Sequence, residues 1–382
     1  MKRAAVILLS FSFCLISACQ PAYKETETGG QNPAASEKTE EPEQEIHLGD
    51  LTNGMEITRK LGNQIELRGT VRIPETGLEQ VKIYHVREAF FNGSEVLKQL
   101  APSVEEDACQ SMDYRDIGVS SALLYNGELS VGEEKTEGSF SFGTTVNYYT
   151  QDWINNSYHF PEAENVNRKF LNQELEDFSL SQSVGEAEAV LARILNRETE
   201  QLNAVYGYSH TYLQEQENHG DQTEAAGVDD DIKPGDRESQ IYTEDRDCYL
   251  IRFDPLFDGI PVVSPLDSGY TNDLYMLSVK REVGITRRGL EYVSVMGNLE
   301  AEGEEKADLA DLPELFQSLE KKFELVSGSQ GTVTSMRLIY SVYVTDGNQF
   351  RYDLIPVWEF TLEQGTVSSH IYINAVTGEE IS

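Results

Sequence analysis

Positive charge is scarce in this sequence. Thirty lysines and arginines stand against 66 aspartates and glutamates, which gives a formal net charge of −36 at pH 7. Binding to nucleic acid needs clustered lysine and arginine to meet the phosphates, so we expect no nucleic-acid partner. The same deficit disfavours docking on an anionic membrane face. We interpret the acidic excess as the solubility of an exposed surface, with attraction of basic partners or loose cation binding as the alternatives.

Cysteine is also rare, with four residues in the chain. Cys14 and Cys19 lie in the N-terminal apolar segment, which leaves Cys109 and Cys248. Neither of these has a histidine or another cysteine at metal-ligand spacing, so we predict no metal site and no cofactor. Outside the cytoplasm the two can pair, and closing so long a loop stabilises by about 4 kcal/mol in the chain-entropy model. The residues alone leave both the paired and the free state open.

Recognisable catalytic motifs are missing. The sequence contains neither His-Glu-x-x-His nor Gly-x-Ser-x-Gly, and its six histidines are scattered. Ser318 and Lys321 spell the Ser-x-x-Lys of penicillin-interacting enzymes, but they lie in an amphipathic stretch without a companion Lys-Thr-Gly. Residues 229–236 faintly suggest a calcium loop, in which Lys233 and Pro234 interrupt the EF-hand pattern. We therefore predict a protein that is not an enzyme, with no catalytic residues and a solvated acidic loop.

Long apolar runs are absent after the first segment, and no later stretch approaches the ~18 residues that a spanning helix needs. Residues 4–16 are nearly all apolar, follow Lys2 and Arg3, and precede the small residues before Cys19. This pattern resembles the lipobox of bacterial lipoproteins. The resemblance implies that 1–18 is a signal peptide and that Cys19 carries a diacylglyceryl group, which anchors the protein at the extracytoplasmic face of a bacterial membrane. The alternative is an ordinary secretory signal with a chance cysteine.

The segment that follows the anchor is polar. Residues 19–50 are rich in Glu, Pro, Thr, Gly and Gln and contain few apolar side chains. Such a composition cannot bury enough surface to fold, so it predicts a disordered tether. A flexible chain of this length spans on the order of 30 Å, enough to lift a folded domain off the lipid surface.

Alternation of polar and apolar residues dominates the rest of the chain and is typical of half-buried strands. We predict strands over 64–73, 81–86, 122–131, 139–149, 206–212, 248–253, 258–262, 274–283, 289–299, 335–345, 350–362 and 368–375. Asn126-Gly127 is predicted as a turn. A short helix is predicted over 94–100, with Ser94 as its N-cap.

Two longer amphipathic helices are predicted, one over 186–203 and one that opens at Asp311 with Pro313 in its first turn. Each is followed by a series of strands, so the order of a helix and then strands occurs twice.

We interpret this order as two tandem units, at 183–300 and 308–382, after an N-terminal α+β segment at 51–182. The predicted fold class is therefore α+β, with antiparallel sheets each covered by a helix.

The C-terminal strands carry a resemblance to known domains. Residues 352–360 (YDLIPVWEF) and 371–381 (IYINAVTGEEI) resemble the final hairpin of PepSY-like and YycH/YycI-type extracytoplasmic domains. In that hairpin a Pro-x-Trp strand precedes a strand that ends in Asn/Asp-Ala-x-Thr-Gly-Glu. Residues 249–253 and 258–262 resemble the equivalent strands of the preceding unit. With 71–74 (VRIP), the arrangement is similar to uncharacterised Firmicute lipoproteins.

Four residues of this hairpin form its structural motif: Pro356, Trp358, Asn374 and Gly378. We expect Pro356 at a strand edge or bulge, since it lacks an N–H. Trp358 is predicted to pack the sheet onto the second helix, with its indole N–H seeking a partner. Asn374 ends the last long strand, and Gly378 permits the tight turn after it.

The resemblance implies regulation without catalysis, because YycH and YycI types restrain a membrane sensor kinase and some PepSY domains restrain proteases. Those YycH/YycI types use a transmembrane helix, whereas this chain has the pattern of a lipid anchor. We predict a lipid-anchored extracytoplasmic binding or regulatory protein that acts on a surface or membrane protein partner of unknown identity. The alternatives are a sensor of small molecules or cell-wall ligands, with a cleft between the units, and a hydrolase.

Overall fold

The alternation of polar and apolar side chains produces strands through most of this chain. The way in which these strands pair sets the architecture. The computed structural model describes residues 46–62, 64–114, 119–161, 167–196, 200–220, 240–263, 279–324, 330–346, 351–365 and 367–381. All of them lie in the compact unit Gln44–Ser382. The predicted signal peptide, Cys19, the tether as far as residue 45 and the acidic loop at 229–236 lie outside the described residues.

The described part contains strands and helices in the following order. The strands are β1 (Glu56–Lys60), β2 (Ile65–Arg72), β3 (Lys82–Glu88), β4 (Gln110–Tyr114), β5 (Val119–Val131), β6 (Glu134–Phe142), β7 (Val146–Thr150), β8 (Glu200–Tyr208), β9 (Cys248–Phe257), β10 (Ile260–Val263), β11 (Lys280–Thr286), β12 (Gly289–Met296), β13 (Leu299–Lys306), β14 (Gly331–Asp346), β15 (Arg351–Gln364), β16 (Val367–Asn374) and β17 (Glu380–Ile381). The helices are α1 (Gly93–Leu100), α2 (Gln151–Ser157), α3 (Leu180–Leu195), α4 (His210–Gly220) and α5 (Leu312–Glu324). None of the described helices is long and apolar enough to cross a membrane.

The first strand group consists of β1, β2, β3 and β13 to β17. Its central strands are β14 and β15, which pair antiparallel over most of their length. β2 joins the other edge of β14 in parallel and carries β1 outside it, while β15 is flanked by β16 and β3. Helix α5 covers one face and buries Leu315, Phe316, Leu319 and Phe323 in the same core cluster as Trp358.

The second strand group runs in the order β4, β5, β6, β7, β12, β11, β9 and β8. Apolar side chains of α1 and α3, such as Leu97 and Leu191, lie with this sheet in a second core cluster. A third cluster is mainly aromatic and includes Trp153, Tyr208 and Tyr242. β10 connects the two groups, because it pairs with β9 and also runs parallel to β14.

The α+β class is therefore confirmed, and the fold is dominated by sheet. Strand pairing does not follow the three-part division predicted from the sequence. The segment 51–182 supplies β1 to β3 to the first group and β4 to β7 to the second. The chain is also already packed at Ile46, before the predicted end of the tether. His47 Nδ1 lies 2.8 Å from Asp311 Oδ2, and the hydrogen bond from His47 helps to lower the pKa of that carboxyl.

Several local predictions were wrong, each for a physical reason. Asn126-Gly127 is not a turn, because β5 runs through it and the chain reverses at Gly132, whose φ is 58°. The helix predicted over 186–203 begins at Leu180, since the Ser179 hydroxyl caps it, and it ends where Asn196 adopts a left-handed conformation.

Two further elements, α1 and the strand predicted over 206–212, also differ from their predicted bounds. α1 begins one residue before Ser94, with Asn92 at its N-cap position. The strand predicted over 206–212 is shared between β8 and α4.

Candidate functional site

Two residues of the C-terminal structural motif, Trp358 and Pro356, are buried inside the fold. Trp358 is fully buried beside α5, although its indole Nε1 has no hydrogen-bond partner among the described residues. Pro356 lies inside β15 rather than on an edge strand. Its position is tolerated because the pairing of β15 with β3 stops at Leu354 and the pairing with β16 starts at Val357. On that side no neighbouring strand needs the N–H that proline lacks.

Asn374 and Gly378 form a turn that is fastened to α5. Asn374 Oδ1 accepts hydrogen bonds from the backbone of Val376 at 2.8 Å and Thr377 at 3.1 Å. Gly378 has a φ of 71°, and its carbonyl accepts a 2.6 Å hydrogen bond from Ser318 Oγ. The serine of the Ser-x-x-Lys pattern therefore has a structural contact in this fold.

Cys109 and Cys248 are free thiols, so the pairing considered from the sequence is not formed. Cys109 follows a 3-10 helix at Glu106–Ala108 and precedes the outermost strand of the second group, whereas Cys248 begins β9 in its interior. The two pack in different core clusters. Burial raises the pKa of both thiols, and that of Cys248 lies well above its ordinary value.

Asp247, which directly precedes Cys248 in the sequence, contacts a histidine in the fold. Asp247 Oδ1 is 2.8 Å from His210 Nδ1 and also accepts from the His210 backbone at 2.6 Å. Asp247 Oδ2 accepts from Arg287 Nη2 at 2.8 Å. These contacts fasten the start of α4 to the hairpin after β11. The Cys248 thiol beside it is fully buried and is therefore not an accessible nucleophile, while the exposed Thr211 hydroxyl lies 3.5 Å from His210 Nε2.

The larger of two described clefts lies where two strands share one edge of β14. β2 runs parallel to β14 as far as Arg72, which is opposite Arg337. β10 runs parallel to the same edge from Val262, which is opposite Tyr340. Two residues of β14 lie between these pairings, and the cleft opens at this gap.

Proline bounds the gap on both sides. Pro74 follows the end of β2 and Pro261 lies at the start of β10, so neither strand extends across the gap as a full ladder. The cleft has a volume of about 350 Å³ and is lined by residues of both groups, including Ile73, Ile260 and, from β8, Gln201. The segments 71–74 and 258–262, noted in the sequence for their resemblance, therefore meet in one site.

Arg337 is the half-buried charge of this cleft. Its Nε contacts Glu359 Oε2, and its Nη1 donates to Asp254 Oδ2 at 3.1 Å. Burial lowers the pKa of this guanidinium, but the two carboxylates outweigh burial and raise it overall. Glu359 also lies 3.3 Å from His370 Nδ1, and Asp254 accepts from Asn203 Nδ2 at 2.5 Å. The network connects β9 with β14, β15 and β16.

Arg72 is the exposed charge of the same cleft. Among the described residues its side chain has neither an ion pair nor a hydrogen bond. Arg68, four residues earlier on the same face of β2, differs because its Nη2 lies 3.3 Å from Glu66 Oε1. Glu75 also lines the cleft and is exposed, but it makes no ion pair with either arginine.

A second, aromatic cleft of about 200 Å³ lies on the second strand group. Tyr292 stacks on Trp153 with ring centroids 5.2 Å apart, and Phe160 stacks on Tyr208 at 4.2 Å. Trp153 also covers Gly284, where an added Cβ would lie 2.3 Å from the indole. The rings therefore pack closely together along one wall of the cleft.

The charged rim of the aromatic cleft is centred on Glu282. One carboxylate oxygen lies 2.9 Å from Arg252 Nε, and the other lies 2.7 Å from Lys280 Nζ and accepts from Tyr292 at 3.0 Å. Burial lowers the pKa of Lys280, but the charge of Glu282 raises it further, so the ammonium stays charged. Two cations against one carboxylate leave a local positive charge in an acidic protein.

The described residues contain no group of three or more His, Cys, Asp or Glu side chains placed to hold a metal ion. Sequence reasoning identified the segments that border the larger cleft but missed Arg337. A signal was present, because Arg337 is the one charged residue between Gly331 and Thr345 of β14. Such a residue in an interior strand needs buried acidic partners.

Comparison with known proteins indicates the fold. No family model and no curated protein matches the sequence. The chain shares its fold with a protein of Eubacterium rectale. That crystal structure, of an uncharacterized protein from strain ATCC 33656, has a TM-score of 0.55 and 15% sequence identity, over 88% of this chain and 96% of the other. The C-terminal domain of YpeB from Bacillus megaterium is similar at a TM-score of 0.34 and 10% identity, over 78% of this chain and 97% of that domain.

Proposed function

We propose that this protein is a lipid-anchored, extracytoplasmic binding protein that acts on a surface or membrane protein partner without catalysing a reaction. The observation that carries the proposal is the lining of the larger cleft. It combines apolar side chains, amide groups and two arginines with Thr70 and the exposed Glu75. Such a lining offers polar and apolar contacts for binding, and the Thr70 hydroxyl already donates to Glu56 at 2.6 Å.

The anchor places this cleft near its partner. A diacylglyceryl group on Cys19 holds the chain at the membrane, and the tether at 19–50 gives the folded unit reach. Tethering raises the effective concentration of the cleft toward membrane proteins, so modest affinity is enough for regulation. The resemblance of the C-terminal hairpin to PepSY-like and YycH/YycI-type domains supports a regulatory role.

Site-specific photocrosslinking in intact cells tests the proposal. A photoreactive amino acid replaces Glu75 at the cleft or, as the matched control, Glu186 on the exposed face of α3. We expect a discrete protein adduct from position 75 that position 186 does not give. Equal adduct patterns from both positions would rule out the cleft as the partner site.

A small-molecule or cell-wall ligand is the second candidate function, and the aromatic cleft favours it. Rings that line a cleft beside excess positive charge suit an anionic ligand with a ring or an apolar group. A thermal-shift screen with cell-wall fragments tests this function. A stabilising fragment should lose its effect in Phe160→Ala and keep it in Tyr158→Ala, which alters an exposed ring outside the cleft. Absence of any shift would remove the candidate.

A further inference from the structure

Arg72 and Arg337 are direct neighbours on adjacent strands. β2 and β14 run parallel with these two residues in register, so both side chains project from the same face of the sheet. Like charges in this relation repel, and they destabilise a sheet. Both arginines line the larger cleft, in a chain whose net charge is −36. A pair of cations held together at a cleft is a binding arrangement when a ligand supplies the opposite charge.

The two guanidinium groups have unequal partners. Arg337 uses Nε for Glu359 and Nη1 for Asp254, which leaves Nη2 without a protein acceptor in the part of the chain that is described. All the donors of Arg72 lack a protein acceptor in the same part. The unused donors of two neighbouring arginines are therefore available in one cleft.

We propose that Arg72 and the Nη2 side of Arg337 together bind a carboxylate group of an acidic peptide segment. This inference rests on the proposed function and adds the chemistry of the ligand. A guanidinium presents its N–H donors in a planar fork that matches a carboxylate, so two of them can hold both oxygens.

The surroundings favour a carboxylate over a phosphate. Glu75, Glu359 and Asp254 lie in or beside the cleft, so a dianion would meet more repulsion than a group with one negative charge. The apolar side chains of Ile73 and Ile260 suit the residues next to an acidic side chain, and Gln201 can bond to a peptide backbone.

Binding of defined probes to the full-length chain tests the site. The probes are a blocked tetrapeptide with one glutamate, the same peptide with glutamine, and inorganic phosphate. Arginine-selective NMR follows the guanidinium signals. We expect the glutamate peptide to shift the Arg72 signal in a saturable way and the glutamine peptide to leave it in place. Arg72→Gln should weaken binding at least tenfold, whereas Arg68→Gln, which removes a charge from the same strand and face, should change it less than twofold.

Three results would overturn the proposal. The first is an absence of saturation with the glutamate peptide, and the second is an equal loss of affinity in Arg72→Gln and Arg68→Gln. The third is saturation of the same signals by phosphate at lower concentration, since that would identify a phosphate site. A partner crosslinked through position 75 without probe binding would keep the proposed function and refute the carboxylate site. Probe binding without a crosslinked partner would keep the carboxylate site and refute the proposed function.

Discussion

The hydroxyl of Ser318 donates a 2.6 Å hydrogen bond to the carbonyl oxygen of Gly378 and so joins α5 to the last turn of the chain. The serine of the Ser-x-x-Lys pattern thus has a contact that stabilises the fold. Ser318→Ala should lower the free energy of unfolding by about 1 kcal/mol, since it leaves a carbonyl without its donor. Lys321→Ala, an exposed neighbour on the same helix, should change it by less than about 0.5 kcal/mol. Urea unfolding measures both, and an unchanged Ser318→Ala would contradict the structural role.

Stability should depend on pH through Glu88. This carboxyl is buried near the end of β3, and burial raises its pKa to about 7. Because its pKa is raised in the folded state, Glu88 favours folding when it is protonated. The stability that Glu88 contributes is therefore complete below the ordinary pKa of a glutamate, and it declines as the pH rises through about 7.

Glu88→Gln should therefore remove this decline. At pH 8 the variant should exceed the natural protein in stability by about 2 kcal/mol after allowance for solvent screening, and near pH 4.5 the two should be alike. Denaturant unfolding at both pH values measures the difference. Glu79→Gln, which alters an exposed carboxyl, is the control, and an equal gain in that variant would refute the assignment to Glu88.

Two glycine substitutions should change the free energy of unfolding in opposite directions. Gly284 lies under Trp153, so the Cβ of Gly284→Ala would meet the indole at 2.3 Å and force the aromatic wall to shift. We expect a loss of about 2 kcal/mol or more. Gly185 lies inside α3 with open space around it, and Gly185→Ala should stabilise by about 0.5–1 kcal/mol through helix propensity. Thermal unfolding of both variants checks this, and equal signs would contradict the described packing.

The lipid anchor makes a prediction that cell fractionation can check. Cys19→Ala should leave the protein unlipidated and free in the medium or periplasm, because no acyl chains would hold it. Cys14→Ala alters the other cysteine of the same segment and should leave the protein with the membrane. Retention of Cys19→Ala in the membrane fraction after a high-salt wash would show that the anchor assignment is wrong.

Sequence periodicity predicted the elements of this fold better than their partners. The alternation in β2 and in β14 to β16 predicted those strands, and the α5 stripe predicted the helix that covers them. Nothing in the alternation indicates that Arg72 lies beside Arg337, because a strand pattern states which face is buried and not which strand is adjacent. The parallel neighbours β2 and β14 are more than 250 residues apart in the chain, so the division into consecutive units missed this pairing.

The errors at element ends have local causes. Leu202 continued the apolar stripe of α3 in the sequence, but Asn196 ends that helix and Leu202 lies half-exposed in β8. Asn126-Gly127 has the composition of a hairpin turn, yet register with β6 places the reversal at Gly132. The candidate cleft was predictable in part, since its bordering segments were recognised. Its charge was signalled by Arg337 in the interior of β14, but the acidic partners of Arg337 lie on other strands, and the sequence does not show which strands are adjacent.

The central claim is that the cleft beside β14 binds a protein partner at the membrane. Its most direct measurement is the yield of the crosslinked adduct from position 75, compared with position 186, in cells that carry Cys19 or Cys19→Ala. The account predicts one discrete adduct from position 75, a much lower yield after Cys19→Ala, and none from position 186. An adduct that forms equally from both positions, or equally without the anchor, would contradict it.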